Sequence, residues 1–344
     1  MTVGVNLSDL VVPQEVTLAD LHGKTVAIDA YNTIYQFMSV IRQPDGYPLC
    51  DSQGRTTSHL SGLLYRTANL IEAGIEPTFV FDGKPHPLKK ATLDGRAERR
   101  EKAQEEWLEA REKGDMKTAF TKAQQTSRMT PEVRQSAREL LGYLGFPTVD
   151  APADGEAEAA YMCRRRSVWA AASQDFDSLL FGTPTLVRNL TLNGRRKVPG
   201  KNVYREVKTE VIDAAQVFST LGITRAQLVD LCILMGTDFN PGIKGIGPKK
   251  ALKLVREKRD LEHILPAIGQ EVPLYEEVRA IFLSDGGSDD YTTQYRPIDR
   301  DGTVKMLTSY DFAADRVNAV LDRIEKARTA NKAMKQQRAL DSWF

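Results

Sequence analysis

Cysteine is scarce in this chain. Its 344 residues hold three, Cys50, Cys163 and Cys232, far apart and in no CxxC pair. That spacing excludes a disulfide scaffold and a thiolate zinc site, and it fits a reducing compartment. No run approaches the roughly 20 apolar residues that cross a bilayer. The opening MTVGVNLSDL has no basic-then-apolar leader. These absences lead to the expectation of a soluble, cytoplasmic protein with no membrane partner. Internal repeats are lacking, and so is net charge: 47 Lys+Arg face 46 Asp+Glu, a balance of +1. Bulk charge therefore argues against a polyanionic partner, whose usual footprint is a clearly basic domain. What is there is globular: 41% hydrophobic and 27% charged residues exclude a disordered or fibrous chain. At about 150 residues per domain, the length suggests about two domains or one large α/β unit with insertions.

The first third reads as strand, helix, helix, strand. Thr25–Ile28 is a short β-branched run ending at Asp29, and Pro77–Phe81 is a second, ending at Asp82. Between them Leu60, Leu63, Leu64, Thr67, Leu70 and Ile71 recur at helical spacing, and Gly74 stops that helix. From Lys84 to about Arg128 apolar residues thin out and bases outnumber acids, a helical insertion between two α/β pieces. Thr130-Pro131 caps the next helix, whose apolar face is Val133, Ala137, Leu140, Leu141 and Leu144. A strand at Thr148-Val149, a helix from Gly155 to Arg166 and a strand at Trp169–Ser173 follow. Asn193-Gly194 then reads as a hairpin turn between Leu186–Leu192 and Lys197–Tyr204. Strands alternating with amphipathic helices predict an α/β fold, a mostly parallel central sheet flanked by helices.

Three strand ends carry acids: Asp29, Asp82, and Asp175 with Asp177. In open α/β sheets ligands sit beyond the carboxyl ends of strands, so these acids converge on one cleft. Glu156 and Glu158 open a helix after Asp150–Gly155, and Asp238 follows the apolar run Leu231–Met235. Positions two apart on a helix do not face the same way, so one glutamate binds a metal directly while the other acts through water. Seven carboxylates in one cleft raise one another's pKa and need compensating cations. An all-oxygen set without His or Cys selects Mg²⁺ or Mn²⁺ over zinc. For any one acid, an ordinary cap or turn role is an equal alternative; the joint pattern carries the reading.

Gly242-Ile243-Lys244-Gly245-Ile246-Gly247-Pro248-Lys249-Lys250 matches neither a P-loop nor a dinucleotide fingerprint. A glycine hairpin between helices, followed by lysines, offers N–H groups to a phosphate. This resembles a helix-hairpin-helix element, which grips duplex DNA by its backbone; a plain Gly-rich turn is the alternative.

Taken together, Val26–Ala30, Ile34–Phe37, Val80–Pro85, Gly155–Ala159, Ser173–Leu180, Gly236–Asp238 and Gly245–Lys249 resemble, in order and over nearly the whole chain, the flap endonucleases. These belong to the structure-specific 5′ nuclease superfamily, and the likeness is to its archaeal members. The resemblance implies a two-Mg²⁺ site, with Mn²⁺ a substitute, at Asp29, Asp82, Glu156, Glu158, Asp175, Asp177 and Asp238. Two such metals, roughly 3.5–4 Å apart, activate water and stabilise the leaving oxygen. Lys89 and Arg96 match catalytic, positively charged residues at the foot of a helical arch (84–128) that threads a single-stranded 5′ flap, though neighbouring Lys90, Arg99 and Arg100 are equally basic. Tyr35 matches an aromatic near the terminal nucleotide, and Arg42 follows it. Gly245, Gly247, Lys249 and Lys250 fall in the DNA-binding hairpin (about 224–259), where relatives hold a monovalent cation. The whole is one nuclease domain over 1–330, free as a monomer. Met1-Thr2-Val3-Gly4 departs from the family's usual Met-Gly start.

Gln337, Leu340, Trp343 and Phe344 end the chain with Leu340, Trp343 and Phe344 on one face of a helical turn. Exposed aromatics at a chain end call for a partner, and the spacing resembles the peptide that docks on sliding clamps, here a tail over 331–344. A related 5′ nuclease for bubbles, gaps or RNA strands is the rival enzyme. A catalytically silent junction binder is the rival from another class, against which all seven acids stand. Without those seven, 39 acids face 47 bases, a balance of +8. Seven bases against one acid in Val187–Lys208, and again in Lys244–Arg259, mark where phosphate contacts supply affinity.

Overall fold

The computed structural model describes residues 5–43, 45–192, 194–197 and 204–341. The chain opens with β1 (Gln14–Val16), then β2 (Thr25–Asp29), α1 (Ala30–Val40), α2 (Ser58–Glu72) and β3 (Glu76–Phe81). The arch segment holds α3 (Lys90–Glu112) and α4 (Met116–Ala123). Next come α5 (Pro131–Tyr143), β4 (Thr148–Asp150), α6 (Gly155–Arg164), β5 (Ala170–Ala172), α7 (Asp177–Leu180) and β6 (Thr185–Arg188). The pair β7 (Gly194–Lys197) and β8 (Tyr204–Val207) precedes β9 (Thr209–Asp213), α8 (Ala214–Leu221) and α9 (Arg225–Met235). Five helices finish the chain: α10 (Pro248–Lys258), α11 (Leu261–Ile268), α12 (Tyr275–Leu283), α13 (Arg300–Ser309) and α14 (Ala314–Asp341).

Seven strands form one sheet in the order β1-β9-β6-β5-β2-β3-β4. The pairs β2–β3, β2–β5, β3–β4 and β5–β6 run parallel, and β9 runs antiparallel to both β6 and β1. The sheet is thus mostly parallel with an antiparallel edge. Its central strands are buried almost throughout, as strands covered on both faces must be. One core packs α1, α2, α5, α13 and α14 against the sheet. A second joins α7 to the helices α8–α12. Because β3 leaves β2 on one side and β5 adjoins it on the other, the order reverses between β2 and β5, the crevice where such sheets bind ligands.

One expectation needs correction. Asn193-Gly194 does not turn a hairpin onto β6: Gly194 begins β7, which pairs with β8, while β6 pairs with β5 and β9. Residues 198–203, between β7 and β8, lie outside the described residues. The basic stretch from Arg323 continues one long helix. It belongs to α14, whose Val317, Val320, Leu321 and Ile324 are buried in the first core. Arg323 ion-pairs with Glu72, and Asn331 donates to the Ile71 carbonyl of α2 at 2.9 Å.

Candidate active site

Each strand-end acid is placed by the backbone it terminates. Asp29 closes β2 and caps α1, accepting the Asn32 N–H at 3.0 Å. Asp82 follows β3 and accepts the Gly155 N–H at 2.6 Å, so the positive end of α6 faces it. This requires two glycines. A Cβ on Gly83 would lie 2.1 Å from the Ala151 carbonyl, and one on Gly155 would lie 2.9 Å from Asp82 Oδ1. Glu156, in the first turn of α6, accepts the Ser173 hydroxyl at 2.5 Å. Asp175 accepts the Asn32 side-chain amide at 2.9 Å. Asp177 opens α7 and accepts the Val5 N–H at 2.8 Å. Asp238, in the turn after α9, accepts Arg96 at 2.5 Å.

Electrostatics show that these six share one cleft. Burial first, then Asp82, pushes Asp29 up to about 7. Burial and then Asp238 push Asp177 up to about 6. Asp175 stands well above its ordinary range through burial and then Asp177, and Glu156 does so through burial and then Asp175. Asp82 is raised by its own burial. Lys89 donates to Asp154 at 2.5 Å. Burial alone would depress its pKa, but Asp154, Asp238 and Glu156 outweigh that and raise it. The arch therefore lowers two cations, Lys89 and Arg96, into an acidic cleft, and both take carboxylate partners there.

Of the seven expected acids, Glu158 is the one on another face of its helix. It is 1% exposed, and its carboxylate accepts the Ser288 N–H at 3.0 and 3.3 Å, with Asp289 and Arg164 as charged neighbours. Two residues along a helix is a turn of about 200°, which puts it on another face from Glu156. Arg42 is engaged within the protein. Its guanidinium donates to the carbonyls of Met38 and Gly46 and to the Ser127 hydroxyl at 2.8–2.9 Å, and burial lowers its pKa to about 10. It ties the turn after α1 to the foot of the arch. Tyr35 is half-buried against the first core. Gly245, Gly247, Lys249 and Lys250 are exposed together at the start of α10, with open space around both glycines. Gly242 makes that hairpin possible: at φ +72°, its Cβ would lie 2.3 Å from the Gly236 nitrogen. Gln337 is exposed on α14; the Leu340 side chain, Trp343 and Phe344 lie outside the described residues.

Sequence reading missed Asn32, Ser173, Asp154 and the Val5 amide. The spacing Asp29-x-x-Asn32 is an N-cap pattern that could have drawn attention to Asn32; the others are joined only by the fold. Among the described residues no three His, Cys, Asp or Glu side chains gather about one point closely enough to hold an ion as placed. The donor chemistry nevertheless fits hard divalent cations: six oxygen-only side chains, mutually strained and partly answered by Lys89 and Arg96.

An XPG N-terminal domain model matches residues 6–103, and an XPG I-region model matches 145–238. These two stretches supply all six acids of the cleft, and they put the chain in the class of XPG-type, metal-dependent nucleases. Flap endonuclease 1 of Thermococcus onnurineus is 50% identical over 344 residues, covering 99% of each chain. The solved flap endonuclease-1 from Methanococcus jannaschii is 38% identical, with TM-score 0.76, over 96% of this chain and 100% of that one. The catalytic core of Rad2 in complex with DNA substrate, 22% identical, shares the fold with TM-score 0.66 over 91% and 96%. The chain belongs to the flap endonuclease 1 family.

Proposed function

We propose that this protein removes 5′ flaps at single-strand/duplex DNA junctions by hydrolysing a phosphodiester, in Okazaki fragment maturation and DNA repair, with an associated 5′–3′ exonuclease activity. The observation that carries the reading is the cleft itself: six carboxylates at the switch point of the sheet, met from above by two arch cations. Asp29, Asp82, Glu156, Asp175, Asp177 and Asp238 would hold two Mg²⁺, or Mn²⁺ in their place, with Glu158 acting from outside. The ions supply water activation and neutralise the leaving oxygen. Lys89 and Arg96 bring positive charge to the level of the acids, where the oxygens of the transferring phosphate gain charge. Their present partners, Asp154 and Asp238, hold them at that level.

The hairpin Gly245–Lys250 would take the duplex backbone, with a monovalent cation in its turn. Tyr35 would lie near the terminal nucleotide, and the α3–α4 hairpin would receive the single strand. Gln337, Leu340, Trp343 and Phe344 would dock on a sliding clamp, the chain being a monomer when free, in an archaeal-type cytoplasm. The names of the relatives support flaps as substrate, and the Rad2 complex supports DNA. Incubation with a double-flap DNA and Mg²⁺, with and without chelator, tests the reading. Chelator-sensitive release of the flap is expected. Preferential cleavage of a gap, bubble or RNA strand would transfer the reading to the rival 5′ nuclease.

A further inference from the structure

The proposed reaction needs acids from different strands to hold one mutual geometry although they repel. Asp29 ends β2, and Asp175 follows β5; the strands pair in parallel, Ile28 opposite Ala172. Asn32 touches both acids. Its backbone N–H donates to Asp29 Oδ1 at 3.0 Å, and its side-chain Nδ2 donates to Asp175 Oδ2 at 2.9 Å. An amide can present either end, so something must fix which end faces Asp175. Gln36, one helical turn later, donates its Nε2 to Asn32 Oδ1 at 2.7 Å. With the oxygen so engaged, Nδ2 is the end left for the carboxylate.

Gln36 Oε1 is buried and has no protein partner. Gln36, Asn32, Ser173 and Thr191 line a cavity of about 10 Å³, close to the space of one water. Across it Ser173 donates to Glu156 at 2.5 Å and accepts the Asp175 N–H at 3.2 Å. We propose that Asn32 is a positioning residue for the metal site, bridging Asp29 and Asp175 across the switch point, and that Gln36 acts through it by fixing its amide orientation. The proposal rests on the carboxylate–metal reading above and concerns residues that touch neither the ions nor the substrate. Groups that orient metal ligands cost about 10–100-fold in metal affinity or activity when lost.

The test measures Mn²⁺ binding by calorimetry on the metal-stripped full chain, the half-saturating Mg²⁺ in flap cleavage, and flap binding in chelator. Asn32→Leu is expected to weaken Mn²⁺ binding and raise half-saturating Mg²⁺ by about tenfold or more, with flap binding unchanged. Gln36→Leu is expected to shift both in the same direction by severalfold. The double variant should be no worse than Asn32→Leu alone. A merely structural role would lower the melting temperature without moving the metal constants. Wild-type Mn²⁺ binding by Asn32→Leu, or single effects that multiply in the double variant, would overturn the relay. Gln36→Leu leaves Asn32 and both acids in place, so it carries the test alone if Asn32→Leu does not fold. Asp175→Ala separates the two readings: if it loses Mn²⁺ while Asn32→Leu keeps it, only the relay fails, and if it keeps Mn²⁺, the metal reading fails too.

Discussion

Asp177 and Lys89 act on one cleft, yet the chain secures them by opposite means. Asp177 begins a helix sunk in the second core and is held by the Val5 N–H, a contact across 172 residues of sequence. Lys89 stands at the foot of α3, a helix of 23 residues of which only Ala103, Trp107 and Ala110 are buried. The whole α3–α4 hairpin is gathered by a cluster of four: Trp107, Ala110, Ala119 and Ala123. Beyond the ion pairs of Lys89 and Arg96 and the Arg42–Ser127 bond at its foot, its dock on the body is equally spare. Trp107 packs edge-on against Tyr47 at 4.9 Å, and Arg111 lies over the Tyr47 ring at 4.5 Å. Groups that must keep an unfavourable geometry are built into parallel strand ends. Groups that must meet a mobile polyanion are carried on an element with little apolar surface to hold it still, the low-stability end of the structure.

The largest effects belong to the acids. Asp177→Ala should abolish flap cleavage while flap binding persists; near-normal turnover would remove the metal reading. Arg96→Ala comes next. It deletes one charge-stabilising donor, so kcat should fall about 10²–10³-fold with KM little changed, and a KM-only effect would make Arg96 a binding residue. Trp107→Ala sharpens the contrast in stability. Losing a buried tryptophan costs about 3 kcal/mol, here charged to the arch alone. Amide exchange in α3 and α4 should accelerate on the order of a hundredfold, while the global melting temperature stays put. A global loss would show that the arch and the body unfold together.

A smaller effect should appear with pH. Asp29 and Asp177 have folded pKa values raised from 3.8 to about 7 and about 6. The folded state then binds more protons than the unfolded one between those limits. Their contribution to stability is fully present below pH 3.8 and is lost as pH rises through 6 to 7. In chelator, melting temperatures should decline over that window, and Asp29→Asn should flatten the decline. Divalent cations compete with the same protons, so Mn²⁺ should bind more tightly across the window as pH rises. A decline that Asp29→Asn leaves intact would point to other groups. The mildest variant is deletion of Gln337–Phe344, after which the ratio of cleavage rates with and without a sliding clamp should fall to about one. A ratio that persists would assign stimulation to another surface.

Much of this was legible in order. The β-branched runs ending at Asp29 and Asp82, and the 3.6-residue spacing from Leu60 to Ile71, specify elements by local period, and each became the expected strand or helix. The Asn193-Gly194 turn failed because β6 finds its partners in β5 and β9, and a turn dipeptide has no access to that choice. Glu158 was legible as an acid but not as one bound to Ser288, 130 residues away. Arg42 read only as a basic residue following Tyr35, and packing alone shows its donors engaged with Met38, Gly46 and Ser127.

The sequence by itself determined the residue types, their order and the strand ends that carry them, because periodicity, capping and strand–acid adjacency act over a few residues. The tertiary structure decided which acids act as a set. Hydrogen bonds from other elements, given by Val5, Gly155, Asn32 and Ser173, orient four of them (Asp177, Asp82, Asp175 and Glu156), and arch cations meet Asp238 and Asp154 from another element. The even charge balance divides in the same way: the composition fixes the sum, and only folding sinks the acids together beneath the bases, since mutual repulsion and burial depend on distance in space.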